Sequence, residues 1–196
     1  MVVLGALVAA MTVTSGLLLL LEPGPSVPRP GVALRSIDRG NEAVKPKDKL
    51  FDTDAREARW GSIVIHDSRT SQGSAQTLHY IHEQLGRGGL GYHCVIDNGP
   101  GSDDGKIEVG FRWSGQTPGA FFDAQMADWP DAVGICLIGD GDSGRFTEAQ
   151  LKQLVWLVQQ LQQRYDIPKA DVYAQIGART ATSGFPDAWF RQQLLN

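Results

Sequence analysis

Gly61-Ser-Ile-Val-Ile-His66-Asp67-Ser68 is the stretch on which the fold turns. Its three consecutive β-branched residues stand between a glycine and an Asp-Ser pair and show no helical period, which predicts a buried strand ending at His66. Downstream, Ala75, Leu78, Ile81 and Leu85 recur at steps of three and four and stop before Gly86, the pattern of an amphipathic helix with a glycine terminator. Tyr92-His-Cys-Val-Ile-Asp97 reads as the next strand. Asn98-Gly-Pro-Gly-Ser-Asp-Asp-Gly105 is a turn by composition, and Lys106-Ile-Glu-Val109 returns from it as a hairpin partner. Val133-Gly-Ile-Cys-Leu-Ile138 is a continuous apolar run suited to a central strand.

Further out, Thr147-Glu-Ala-Gln150 has the form of a capping box, in which the threonine oxygen and the glutamine side chain each satisfy an orphan backbone N–H. Leu151, Leu154, Leu157, Val158 and Leu161 then line one helix face, and Pro168 forbids much extension past Asp166. Val172-Tyr-Ala174 is a short last strand, followed by a terminal helix around Asp187 to Leu195. Strands interleaved with helices predict an α/β fold, a mixed central β-sheet flanked by helices.

The N-terminal quarter is built from different material. Val2 to Leu21 carries no ionisable side chain and ends in five leucines. About 20 residues at roughly 1.5 Å each span a hydrocarbon core of about 30 Å, so residues 1–22 read as one transmembrane helix. A signal peptide is the competing reading. The absence of an early basic residue and the Glu22-Pro-Gly-Pro25 that follows favour an uncleaved anchor. Residues 23–50, with prolines at 23, 25, 28, 30 and 46, read as a linker, which leaves 51–196 as the folded domain. Arg29, Arg35 and Arg39 follow the span, and the positive-inside rule alone would place the domain in the cytoplasm.

Composition narrows the function. Among 196 residues, 18 Lys+Arg stand against 22 Asp+Glu for a net charge of −4, so no basic surplus exists to neutralise phosphates and nucleic acid is excluded as a principal partner. Two cysteines make neither a disulfide scaffold nor a cysteine-rich zinc module, and Cys94 and Cys136 read as buried thiols on apolar strands. Four histidines, His66, His79, His82 and His93, are all the imidazoles available. Gly139-Asp-Gly-Asp-Ser-Gly144 looks like a cation loop but lacks the glutamate spacing of an EF-hand, and reads as a turn.

The order Ile63-Val-Ile-His66-Asp-Ser-Arg-Thr70, His82, Leu90-Gly-Tyr-His-Cys-Val-Ile96, Ile107-Glu-Val-Gly110 and Val133-Gly-Ile-Cys-Leu-Ile-Gly139 resembles the zinc-dependent N-acetylmuramoyl-L-alanine amidase and peptidoglycan-recognition family, over residues 58 to 195. The resemblance implies a groove beside the sheet that holds the glycan-linked stem peptide. It also implies hydrolysis of the amide between the lactyl group and L-alanine at a zinc held by two histidines and a third ligand. Such a cation lowers the pKa of bound water and polarises the carbonyl. Tyr92 occupies the place of an assisting tyrosine, and His82 that of a helix histidine that packs.

The ligand positions depart from the family pattern. His66 matches the first ligand. The second falls on Gln175, and no histidine exists beyond His93. The third falls on Thr180, Ser183 or Phe185 in a segment without cysteine. Asp67 follows His66 directly, and in a continuing strand the two side chains point to opposite faces. His66 alone reads as a strand-end residue satisfied by hydrogen bonds, and His93 as orienting its strand through a buried one.

The expectation is therefore a membrane-tethered amidase-like domain that binds peptidoglycan or muropeptides. It has impaired catalysis and no expected cofactor, and it faces the periplasm or cell exterior on the cytoplasmic membrane. Tyr92 is its candidate catalytic residue, and His66, His93, Phe121 and Trp129 are its candidate groove residues, with Trp113 and Phe122 as further sugar-stacking candidates. The alternative is an active peptidoglycan amidase that holds zinc at a rearranged site, and a third reading is a scaffold that no longer binds cell wall.

Overall fold

The structure, a computed structural model, describes residues 35–36, 48–53, 55–120, 129–177 and 184–196. All of these lie in the compact unit Ala33–Asn196. The expectations placed on residues 1–22, Phe121, Phe122, Thr180 and Ser183 fall outside the described residues. Among the described residues, no helix is long and apolar enough to cross a membrane.

The elements in chain order are β1 (Arg35–Ser36), β2 (Ser62–Asp67), α1 (Ala75–Gln84), β3 (Cys94–Ile96), β4 (Ile107–Val109), α2 (Phe111–Ser114), β5 (Ala132–Leu137), α3 (Glu148–Tyr165), β6 (Val172–Gln175) and α4 (Asp187–Gln193). The strands form one sheet in the order β1-β4-β3-β5-β2-β6. β3, β5, β2 and β6 run parallel, while β4 pairs antiparallel with both β3 and β1. The expected mixed sheet with flanking helices is what the chain forms. Arg35–Ser36, within the span read as a linker, pairs with β4 as an edge strand.

Strand alternation sorts the side chains into two cores. On one face Ile63, Ile65, Ile96, Val133, Ile135, Leu137 and Val172 pack with Leu154, Leu157, Val158 and Leu161 of α3 and Phe190 of α4. On the other face Val64, Val95, Ala132, Cys136 and Ile138 pack with Ala75 and Leu78 of α1, Leu90 and Tyr92. Cys94 and Cys136 belong to different cores, and both are free thiols. β5 is buried at all six positions, as its unbroken apolar run requires of a central parallel strand.

The caps follow the residue chemistry. Thr147 Oγ1 accepts from Gln150 N at 3.0 Å and Gln150 Oε1 accepts from Thr147 N at 3.1 Å, completing the capping box. α3 ends at Asp166, in the left-handed region at φ 54°, before Ile167-Pro168. In α1 the buried residues are Ala75, Leu78 and His82. Ile81 and Leu85, expected on the packed face, are 37% and 62% exposed, because the buried stripe turns through His82 instead.

Trp113, a sugar-stacking candidate, is 1% exposed and packs edge-on against Phe51 and His93, so it is a core residue.

Candidate functional site

β2 carries the centre of the site. Because β2 and β6 pair in parallel register, His66 lies opposite Gln175, and their side chains share the sheet face away from α3. His66 Nε2 is 3.0 Å from Gln175 Oε1, and Nδ1 is 3.3 Å from Tyr92 Oη. An amide oxygen only accepts, so Nε2 donates to it and Nδ1 takes the phenolic O–H, a self-consistent neutral tautomer. Burial pushes the Tyr92 phenol well above its ordinary value, so it stands as a hydroxyl donor. Tyr173 shares the face of Gln175 two residues earlier, and Trp129 meets its ring edge-on with centroids 4.3 Å apart. Trp129 and Tyr173 are both partly exposed. His66, Gln175, Tyr173 and Trp129, all partly exposed, thus share a face of polar and aromatic groups, with the buried Tyr92 phenol held against His66 behind them.

Asp67 points the other way, as strand alternation requires. Its carboxylate accepts from Gly141 N at 2.8 Å and Gly177 N at 3.1 Å, tying the chain after β5 and after β6 to the end of β2. The Gly139–Gly144 segment is the expected turn. Asp140 accepts from Asp142 N and from the Ser143 hydroxyl, and Gly144 N closes on Asp140 O at 2.9 Å.

His93 corrects the groove assignment. It is fully buried, and Trp60 lies edge-on at 4.8 Å. Its Nδ1 accepts from Gly134 N at 2.9 Å and its Nε2 donates to Thr117 O at 3.0 Å, so both ring nitrogens are committed to holding strands together. Burial lowers its pKa to about 4. Phe185 is also a core residue, 7% exposed and packed against Phe146 and Phe190.

The helix histidines have a role that the sequence did not reveal. His79 Nδ1 accepts from Leu90 N at 3.1 Å and His82 Nδ1 accepts from Gly91 N at 2.9 Å. Burial, reinforced by Arg87 and Arg112, lowers the His82 pKa to about 4. Arg112 donates to Leu90 O, Arg87 O and Pro118 O. Three imidazoles, His66, His79 and His82, and the Arg112 guanidinium therefore converge on Leu90-Gly-Tyr92 and fix the phenol of Tyr92 against His66. Gln175, which the family resemblance gave as the second ligand position, sits where that resemblance puts it, whereas Tyr173 was missed; its only sequence signal was position, since alternation from Val172 puts it on the face of His66.

Among the described residues, no group of three or more His, Cys, Asp or Glu is placed to hold a metal ion.

The fold and the match to known proteins agree. A family model described as N-acetylmuramoyl-L-alanine amidase matches residues 56–184. The structure is similar to the N-acetylmuramoyl-L-alanine amidase LysC from Clostridium intestinale URNW, at 23% identity and TM-score 0.52, covering 69% of this chain and 85% of that one. It is also similar to the endolysin amidase LysCS from the same organism, at 24% identity and TM-score 0.54, covering 69% and 83%. PGRP-Hd from Alvinella pompejana aligns at 16% identity and TM-score 0.51, covering 80% of this chain and 99% of that one. No curated protein matches the chain. These likenesses establish a shared fold, and the family match covers most of the chain from before β2 to beyond β6: the protein belongs to the N-acetylmuramoyl-L-alanine amidase family.

Proposed function

We propose that the domain binds peptidoglycan fragments on the surface formed by His66, Gln175, Tyr173 and Trp129, and that it has lost zinc-dependent hydrolysis. The observation that carries this reading is the His66–Gln175 hydrogen bond. Zinc in a hydrolytic site takes three nitrogen, thiolate or carboxylate ligands and keeps a fourth position for water. The described residues do not fit that ion. His66 is the one imidazole on this surface, and its two nitrogens are engaged by a phenol and a neutral amide. Asp67 is turned to the opposite face and held by two backbone N–H groups. What remains suits recognition. A partly exposed aromatic pair offers faces for sugar rings, and the partly exposed His66 and Gln175 offer directional polar groups.

Membrane tethering through residues 1–22, with the domain outside the cytoplasmic membrane where peptidoglycan lies, is part of the same proposal. It rests on the apolar run Val2 to Leu21.

The test uses the full-length chain. Elemental analysis should find no stoichiometric zinc, calorimetric titration with a muropeptide should show binding, and incubation should release no L-alanine-terminated peptide. One tightly held zinc per chain together with peptide release would establish the alternative, an active amidase. A flat titration would remove the recognition role as well. Protease added to spheroplasts should digest the domain, and a domain protected while an external marker is cut would overturn the placement.

A further inference from the structure

The turn between β3 and β4 contains a buried charge that the groove does not explain. Asp97, which follows β3, is 0% exposed, and among the described residues neither of its carboxylate oxygens has a hydrogen-bond partner. Its backbone is fully engaged, because its N–H donates to Lys106 O at 3.0 Å and its carbonyl accepts from Gly105 N at 2.8 Å. The hairpin therefore closes without the side chain. Two further oxygens of the same turn, Asn98 Oδ1 and Ser102 Oγ, are also buried and lack partners among the described residues. The Asn98 amide nitrogen is anchored to Ser71 O at 2.9 Å, and the Ser102 hydroxyl lies close enough to the Asp97 carboxylate to favour its charged form.

The surroundings are short of positive charge. Glu108 and Asp103 repel the Asp97 carboxylate and Lys106 attracts it. Lys106 Nζ is already taken by Glu108 Oε1 at 3.1 Å. The other oxygen of Glu108 accepts from Ala75 N at the start of α1, and Asp104 accepts from Thr147 Oγ1 at 2.6 Å, so both of those carboxylates are committed. Asp97 is the fully buried carboxylate of this turn whose oxygens are left uncommitted among the described residues. A buried ion in that condition is costly unless a counter-ion or metal accompanies it.

We infer that this turn binds a hard divalent cation of the calcium class, held by the Asp97 carboxylate with Asn98 Oδ1 and Ser102 Oγ. Carboxylate, amide-carbonyl and hydroxyl oxygens are the donors such ions prefer, and the four orphaned atoms are all of these types. A proton on Asp97 would remove the buried charge without a cation, and the pH dependence measured below separates that account from cation binding. This is not a cluster of three acidic or imidazole ligands, of which the described residues hold none. With one carboxylate and neutral oxygens, the affinity falls in the weak range of about 10⁻⁴–10⁻³ M that is typical of extracellular modules. Asp103, exposed on the same turn, adds negative charge at its rim.

The experiment follows the thermal midpoint of the full-length chain after EDTA treatment and dialysis, as calcium chloride is raised to about 10 mM. Sodium chloride at matched ionic strength is the control. Calcium should raise the midpoint by about 3–6 °C with half-saturation near 10⁻⁴–10⁻³ M, sodium should leave it unchanged, and equilibrium dialysis should find about one calcium per chain. Asp97→Asn removes the charge at constant shape, so it should match or exceed the calcium-free parent in midpoint and show no calcium response. Ser102→Ala keeps the carboxylate and should shift half-saturation to several-fold higher calcium, which preserves the test if Asp97→Asn does not fold. A midpoint insensitive to calcium, or an equal response in Asp97→Asn, overturns the inference. So does a calcium-insensitive midpoint that rises as pH is lowered from about 8 to about 6, because Asp97 would then be held as the neutral acid.

Discussion

The two faces of the sheet are made from alternate residues of the same strands, yet they are built on different chemistry. Toward α3, Ile63 and Ile65 of β2 and Val133, Ile135 and Leu137 of β5 meet leucines and a valine from the helix, and Asp67 at the end of β2 is the polar exception, held by two backbone N–H groups. On the reverse face the intervening residues include His66, Tyr173 and Gln175, and the packing is closed by His82, Tyr92 and Trp129. The first face is non-directional and its energy scales with area. On the second, His66, Gln175, Tyr92 and His82 are held by directional hydrogen bonds, so geometry rather than area sets the energy there. The difference teaches where to look for each property, with stability on the α3 face and recognition on the histidine face.

The sharpest way to break this comparison is Leu157→Ala, at a fully buried position under α3. It should cost about 2–5 kcal/mol in urea unfolding while muropeptide affinity per folded molecule stays unchanged. Affinity that falls beyond the unfolded fraction would show that the faces are not separable.

Acid probes the buried imidazoles. His93 and His82 have folded pKa values lowered from 6.5 to about 4. Between those values the unfolded chain binds protons that the native state excludes, so stability is complete above pH 6.5 and falls as pH drops toward 4. His93, fully buried, should contribute a loss on the order of 3 kcal/mol across that window, and His82 a smaller one. Chemical unfolding at stepped pH measures this. A His93→Gln variant that keeps the full acid sensitivity would move its source elsewhere.

A smaller effect is expected at Thr147→Ala. It removes one half of the capping box and should cost about 1 kcal/mol in the same unfolding assay without altering ligand binding. The smallest effect on stability belongs to Gln175→Ala, within about 0.5 kcal/mol because the site is open to water. Calorimetry should nevertheless show muropeptide affinity down by about fivefold, the worth of one hydrogen bond. Unchanged affinity would take Gln175 out of the binding surface.

Much of the fold was legible because it is written in local patterns. Ile63 to Ile65, Val133 to Ile138, the Thr147 capping box and the leucine stripe of α3 each announce an element within about a dozen residues. The two short 3-10 and edge elements at Arg35–Ser36 and Asp48–Phe51 were not legible, since a two-residue strand and a single turn have no period to detect. Leu85 was assigned to the packed face of α1 because it is apolar. It is exposed because His82, satisfied by Gly91 N, takes the buried place. His66 was found as a site residue because it matches the first ligand position of the family that the sequence resembles. Tyr173 passed for an ordinary strand residue, and His93 was misassigned to the groove, because burial depends on Trp60 and Thr117, which are distant in sequence.

The amino-acid sequence alone determined which segments alternate, which helix is capped, and that no histidine follows His93 to serve as a second imidazole ligand. Those are properties of composition and of neighbours along the chain. Only the tertiary structure decided that Gln175 faces His66 across a parallel register, that the amides of Gly141 and Gly177 are what Asp67 holds, and that the Asp97 carboxylate is enclosed. Each of those facts depends on which strands lie side by side, and pairing between segments a hundred residues apart leaves no periodic mark on either one.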